Sequence, residues 1–286
     1  MISDTTQILY DEACSWEYSF ITQEFFDELP NIKTFNKNNI NDITFTDNCK
    51  NKILVFGSNL LSYEEVLSIC ERTNPTIIIH CSDEWGNRPQ FDFLVEKCNL
   101  YLRQYRHTSY KSNEKIKVIP LGYGVDLLKT SWSKEEIIPS NERSYMWSFI
   151  GNIKSDRQEM LKQFSKLENG FFGTADKQTM KKVYSQSKFV PIGRGNITLN
   201  CLRIYEAVTC GAIPVIVGNK DEIENTFKDE DTSAWIISKS WQGAVIDCIS
   251  LSSDSNKINS KQKILINYWE NRLKDIKDTI NKHMEI

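Results

Sequence analysis

Two short stretches of this 286-residue chain hold residue types suited to a phosphorylated ligand. The first is "PIGRGNITLNCLRIYEAVTCGAIPVIVGN", Pro191 to Asn219. It reads as the end of a strand, a glycine-rich approach, a helix, a tight turn closed by Gly211 and a buried strand. A helix N-terminus presents unpaired N–H groups and the positive end of a dipole, so it is a ready anion site. Asn200 and Cys201 stand at the entry, Arg203 can reach a phosphate, and Glu206 follows on the same face. A carboxylate beside a diphosphate suits a ribose diol, the logic of dinucleotide folds. The expected ligand is a nucleoside diphosphate. The simpler alternative is a surface ion pair between Arg203 and Glu206. The second stretch is "FIGNIKSDR", where a strand ends at Gly151 and Asn152. Ser155 is then expected to cap the next helix and Arg157 to be a second phosphate cation. A capped helix with a solvated arginine is the alternative.

These residues need elements to hold them. In the first half, "ILVFG" (53–57) and "PTIIIHCSDE" read as buried strands. Between them, "SYEEVLSICERT" has helical spacing with a capping box at Ser62 and Glu65. "FDFLVEKCNLYLRQY" reads as helix or helix–strand, and "KIKVIPLGYG" as strand and loop. The pattern restarts with "SYMWSFIGN", "GFFGT", "KFVPIG", "AIPVIVGN" and "AWIISKSW" as strands, with helices between. Strands alternating with helices predict parallel α/β sheets. Two Rossmann-like halves are expected, divided within the polar stretch "LLKTSWSKEEIIPSNERS", with ligands outside the carboxyl ends of the strands. The expected boundaries are 1–130, 131–262 and a C-terminal helix, 263–286. That helix carries an apolar stripe of Ile264, Ile266, Trp269, Leu273, Ile276 and Ile280.

Composition narrows the function. Net charge is -3 and the pI is about 5.8, which disfavours a general nucleic-acid binder. The 8 cysteines form no CxxC pair or zinc-spaced cluster, and several sit in apolar runs, pointing to a reducing compartment. No secretory leader is evident, and no apolar run reaches about 18 residues. The cytoplasm is the expected location.

The segment "SKFVPIGRGNITLNCLRIYEAVTCGAIPVIVGN", preceded by "FIGNIKSDR", resembles the exostosin-like glycosyltransferases of family 47. It keeps Pro191, Gly193, Arg203, Glu206, Ala207, Gly211, Pro214 and Val215 of that pattern, and departs at Asn200 and Cys201, where serines are usual. The match covers roughly residues 145–220; the first half matches loosely through "HCSDEWG". The resemblance implies a GT-B fold, with two Rossmann-like domains facing a cleft and a last helix crossing back to the first. It implies an inverting transfer from a nucleotide sugar, mostly a UDP-sugar, to a glycan acceptor, with no metal. Glu206 would hold the ribose, and Arg157 and Arg203 would face the diphosphate. The base would lie near Phe172 and Gly173, with Arg194 in reach. The compact length is similar to that of the small exostosin-like enzymes of chlorella viruses, one of them a xylosyltransferase. Xylose is therefore the leading donor sugar, with glucuronic acid, galactose and N-acetylglucosamine open.

Such a transfer needs a general base for the acceptor hydroxyl. "IIIHCSDEWGNRPQ" places Asp83, then Glu84, directly after a buried strand. Trp85 suits stacking on a sugar, and Arg88 and Asn87 add donors. The alternative is an acidic cap of the following helix with Trp85 in the core. His80 is expected in the core. His107 is a candidate for the acceptor or the pyrophosphate, or a solvated loop residue. "PLGYGVD" is either a turn or part of the site floor. The only DxD spacing is "DED", Asp229 to Asp231, expected to be a solvated loop. A retaining GT-B transferase and a non-catalytic glycan- or nucleotide-binding module remain open. The sequence leaves the oligomeric state undefined.

Overall fold

A computed structural model describes residues 3–26, 30–57, 60–106, 113–124, 127 and 137–284. The chain divides into two compact units, 1–121 with 273–286, and 122–272. Residues 128–136 of the expected linker lie outside the described residues.

The first unit holds a six-stranded parallel sheet. Its strands are β1 (Ser3–Asp11), β2 (Pro30–Phe35), β3 (Asn51–Gly57), β4 (Ile77–Cys81), β5 (Leu100–Arg103) and β6 (Ile116–Val118). Their spatial order is β2-β1-β3-β4-β5-β6. All five residues of β4 are buried, as expected for a central parallel strand covered on both faces. One core cluster joins Leu54, Phe56, Ile78, Phe91 and Tyr101. Helix α2 (Tyr63–Thr73; α1 is Tyr18–Glu24) opens with the Ser62–Glu65 capping box and ends at left-handed Asn74. The segment expected as helix or helix–strand is a 3-10 helix, Pro89–Lys97, followed by β5.

The second unit holds β7 (Tyr145–Ile150), β8 (Gly170–Gly173), β9 (Ser187–Ile192), β10 (Ile213–Val217) and β11 (Ile236–Ser238), ordered β11-β10-β9-β7-β8. Its helices are α3 (Arg157–Phe164), α4 (Lys177–Ser185), α5 (Leu202–Thr209), α6 (Lys220–Thr226) and α7 (Trp241–Ser252), with α8 (Ser255–His283) as far as Arg272. Renumbered from its own first strand, this order is 2-1-3-4-5, a doubly wound sheet with its switch point between β7 and β9. Pairing of β7 with β9 runs only to Phe189. Pro191 lies two residues beyond and has no N–H to continue the ladder. The two strands therefore part at their carboxyl ends.

Arg143 braces the back of this unit. It is 4% exposed and donates to the carbonyls of Ser187 (2.8 Å) and Cys210 (3.0 Å). The turn after α5 passes through Gly211 at φ +66°, where a Cβ would stand 2.9 Å from Arg143 Nη2. Helix α8 is continuous. Ile266, Trp269, Ile276 and Ile280 of its expected stripe are buried, but Ile264 is exposed and Leu265 is buried beside it. A 3.6-residue period admits either neighbour at the edge of an apolar face.

Candidate functional site

The switch point of the second unit is built around Arg157. This side chain is 2% exposed. Nη1 donates to the Asn152 carbonyl at 2.8 Å and Nη2 to the Arg194 carbonyl at 2.6 Å. One guanidinium thus bridges the loops that leave β7 and β9, across the gap opened by Pro191. Gly193 is needed there, because a Cβ on it would meet Arg157 Cγ at 2.3 Å. Burial and the neighbouring Arg203 guanidinium push the Arg157 pKa down. Arg157 is therefore a buried brace in this structure, not a solvated arginine. Ser155 does not cap α3. It sits at φ 52°, and the cap position is Asp156, which makes no side-chain cap bond. The Asp156 carboxylate instead accepts the Arg194 N–H at 2.9 Å, a third tie between the same loops.

Arg203 enters from the second position of α5. Its Nε donates to the Ile150 carbonyl at 2.7 Å, and its guanidinium lies 5.5 Å from the Phe149 ring centre. It lies over Gly151, where φ is +151° and a Cβ would come within 2.0 Å of Nη2. Only glycine fits there. The surface ion pair with Glu206 does not form. Glu206 is 2% exposed, pairs with Lys177 of α4, and accepts the Gly124 N–H at 3.4 Å on the same oxygen, Oε1. Its other oxygen, Oε2, makes no hydrogen bond among the described residues. Lys177 escapes a reading of the sequence, because a helix-opening lysine looks solvated. Gly124 belongs to "PLGYGVD", read above as either a turn or part of the site floor, and its N–H reaches the Glu206 carboxylate.

The entry to α5 has no side-chain cap, which leaves its first N–H groups without side-chain acceptors. Cys201 Sγ lies 3.9 Å from the Gly193 carbonyl, and burial pushes its thiol pKa up. Asn200 is buried and accepts the Tyr205 hydroxyl at 3.1 Å. Arg194 forms a two-pronged pair with Glu222, with Nη2 to Oε2 at 2.8 Å. Phe172 is 56% exposed and stacks parallel to Trp147, with centroids 6.4 Å apart. Open space surrounds the Cβ direction of Gly173, so Phe172 and Gly173 leave a free surface at the end of β8. The DED stretch is not simply solvated. The Glu230 side chain is 4% exposed and pairs with Arg272 at 3.2 Å. Among the described residues no group of three His, Cys, Asp or Glu could hold a metal ion.

In the first unit Asp83 and Glu84 follow β4 and are both buried, at 5% and 9% exposure. Neither caps the next helix, whose cap position is Arg88. Trp85 is 60% exposed rather than in the core. Arg88 Nη1 donates to the Leu61 carbonyl at 3.0 Å. His80 is a core residue, 1% exposed, with Nδ1 2.9 Å from the Tyr101 hydroxyl. His107 lies outside the described residues. The acidic turn is reached through Ser82, at φ 64°. Its N–H donates to Gln104 Oε1 and its hydroxyl to Glu17 Oε1, each at 3.0 Å. Glu17 stands just before α1 and is 6% exposed. Burial raises its carboxyl pKa to about 7. Nothing in "EACSWEYSF" marks it, because the sequence shows no strand end nearby until β1 is known.

No curated protein matches the chain at a significant level. Among solved structures, an alpha-glucosyltransferase bound to UDP and a 13-mer DNA with an HMU base aligns at TM-score 0.56 and 12% identity. That alignment covers 97% of this chain and 100% of the other. The Anabaena protein HepE, solved with UDP and glucose, aligns at TM-score 0.54 and 12% identity, over 97% and 98% of the two chains. The fold is that of the GT-B glycosyltransferases, two parallel-sheet α/β domains. No described helix is long and apolar enough to cross a membrane. The profile of the Exostosin GT47 domain matches residues 77–237, from the first residue of β4 into β11, which is more than half of the sequence. The chain belongs to the Exostosin GT47 family.

Proposed function

We propose that this protein transfers a sugar from a UDP-sugar to a hydroxyl of a glycan, with inversion and without a metal. The observation that carries the reading is Glu206. A carboxylate buried to 2% exposure stands one turn inside the uncapped entry of α5, in a sheet whose switch point is framed by Arg157 and Arg203. Buried carboxylates are costly unless paired or used. Here one oxygen is paired and the other is left for a ribose diol. The α5 N–H groups and Arg203 would take the charge that grows on the diphosphate as the glycosidic bond breaks. Phe172 offers a face for the uracil. Arg157 and Arg194 are engaged with other groups and act by holding the loops.

In the first unit, Asp83 or Glu84 takes the proton of the attacking hydroxyl. The oxygen bonds to the anomeric carbon as UDP leaves, and the configuration inverts. Trp85 gives the acceptor sugar an apolar face, and Arg88 fixes the loop it stands on. Xylose is the proposed donor sugar, on the family resemblance.

The test is calorimetric titration of UDP, then GDP, in EDTA, before and after Glu206→Ala. UDP binding without metal that is lost in the variant supports the reading. No UDP binding by folded protein overturns it, as does activity abolished by EDTA and restored by manganese. Proton NMR of the product from UDP-xylose gives the stereochemistry.

A further inference from the structure

The turn that carries Asp83 and Glu84 is held in a conformation it would not adopt alone. Ser82 is one of four described non-glycine residues at positive φ. That region is disfavoured for an L-residue and persists where the surroundings over-determine it. Two buried side chains do so here. Gln104, 1% exposed, grips the Ser82 N–H and is itself tied to the Leu121 carbonyl at 3.3 Å. Glu17 grips the Ser82 hydroxyl from a separate segment, 65 residues away in sequence.

Glu17 is an odd choice for a strut. Its Oε2 is buried without a hydrogen-bond partner, and among the described residues no ion pair reaches it. The groups that face it are Tyr10 of β1, Cys14 beside its own segment, and Cys81 of β4; Asp11 acts on the same two thiols. An asparagine or glutamine would hold Ser82 with no buried charge, so stability alone does not explain the residue. Glu17 also lies outside the family-matched segment, which begins at residue 77.

We propose that Glu17 is a positioning residue for the acidic turn: through the Ser82 hydroxyl its carboxylate fixes the backbone that presents Asp83 and Glu84, and its protonation loosens that turn. The role in transfer rests on the reading of Asp83 or Glu84 as the base. The coupling to the turn does not. A charged carboxylate accepts a stronger hydrogen bond than a neutral acid, so the turn is tightest when Glu17 is ionised.

The experiment labels the full chain with 5-fluorotryptophan and follows the fluorine resonance of Trp85, two residues past Asp83. The chain has seven tryptophans, and Trp85→Phe assigns the signal. Between about pH 5 and about pH 9 the Trp85 resonance is expected to shift with one midpoint, near the value of about 7 for Glu17. In Glu17→Gln that titration is expected to vanish while UDP affinity stays unchanged. In Ser82→Ala, which keeps the carboxylate and removes its link, the Trp85 titration is also expected to vanish. A Trp85 signal flat in the wild type, or one still titrating in either variant, overturns the proposal. For the reaction, UDP-xylose hydrolysis serves as the probe. Glu17→Gln is expected to lower kcat about tenfold at unchanged KM and to remove the acidic limb of the pH profile. Absence of UDP binding would sink the glycosyltransferase reading and leave the fluorine result to decide the role of Glu17.

Discussion

Glu206→Ala separates a binding carboxylate from a structural one. In the free protein Glu206 Oε1 holds Lys177 and the Gly124 N–H, and Oε2 is available. A ribose diol on this carboxylate makes charge-assisted hydrogen bonds, each with a net value of about 1.5–3 kcal/mol. Part of that is offset, because Lys177 must give way or share. A net loss of about 2–3 kcal/mol is expected for the variant, which weakens UDP binding ~30- to ~160-fold. Folding should suffer less, because Lys177 keeps 23% of its side chain exposed and water can replace the lost carboxylate. The assay is calorimetry with UDP, paired with a thermal melt of the same sample. Glu206→Gln, which keeps the shape and removes the charge, should fall between wild type and alanine. A UDP affinity in Glu206→Ala within about threefold of wild type, with the melt unchanged, refutes the assignment.

Three further outcomes follow from the geometry. The raised pKa of Glu17 means that the native state holds its proton more tightly than the unfolded chain. The contribution of Glu17 to stability therefore falls as pH rises from about 4.5 to about 7. The full penalty above pH 7 is about 3 kcal/mol, so Glu17→Gln should melt several degrees higher than wild type at pH 8 and show no such gain at pH 5; an equal difference at both refutes it. Of Asp83→Asn and Glu84→Gln, the one that removes the base should lower kcat by about 10²- to about 10⁴-fold with UDP affinity intact, and steady-state kinetics on both decides which. Gly193→Ala drives a Cβ to 2.3 Å from Arg157 Cγ, which should cost about 1–3 kcal/mol in denaturant unfolding and weaken UDP binding at the same time.

The parallel α/β halves were legible because buried strands such as "TIIIHC" and "AIPVIV" leave runs of β-branched residues that no helix face needs. Strands β1 and β2 were not, because "TTQILYD" and "PNIKTF" mix polar residues into short runs and carry no turn signal that separates strand from loop. Arg203, Glu206 and the glycines around them were visible because a glycine-rich helix entry has a local pattern. What each arginine does was not visible. Whether Arg157 faces solvent or spans two carbonyls depends on the gap between β7 and β9, which is set by sheet order. Glu17 and Lys177 owe their places to contacts 65 and 29 residues away in sequence, and no local spacing reports such a pairing.

Arg157 carries a further consequence. Mobile ions in solution reach a surface arginine and dilute its attraction for a phosphate, over a Debye length of about 8 Å at physiological ionic strength. They cannot reach a guanidinium that is 2% exposed and locked on two carbonyls. Its positive potential at the switch point is a fixed property of the folded unit, present in dilute and concentrated electrolyte alike. UDP affinity should therefore fall only slightly with added sodium chloride, far less than that of a nucleotide held by surface lysines. A steep decline in the same titration would place the diphosphate on exposed charge and away from this frame.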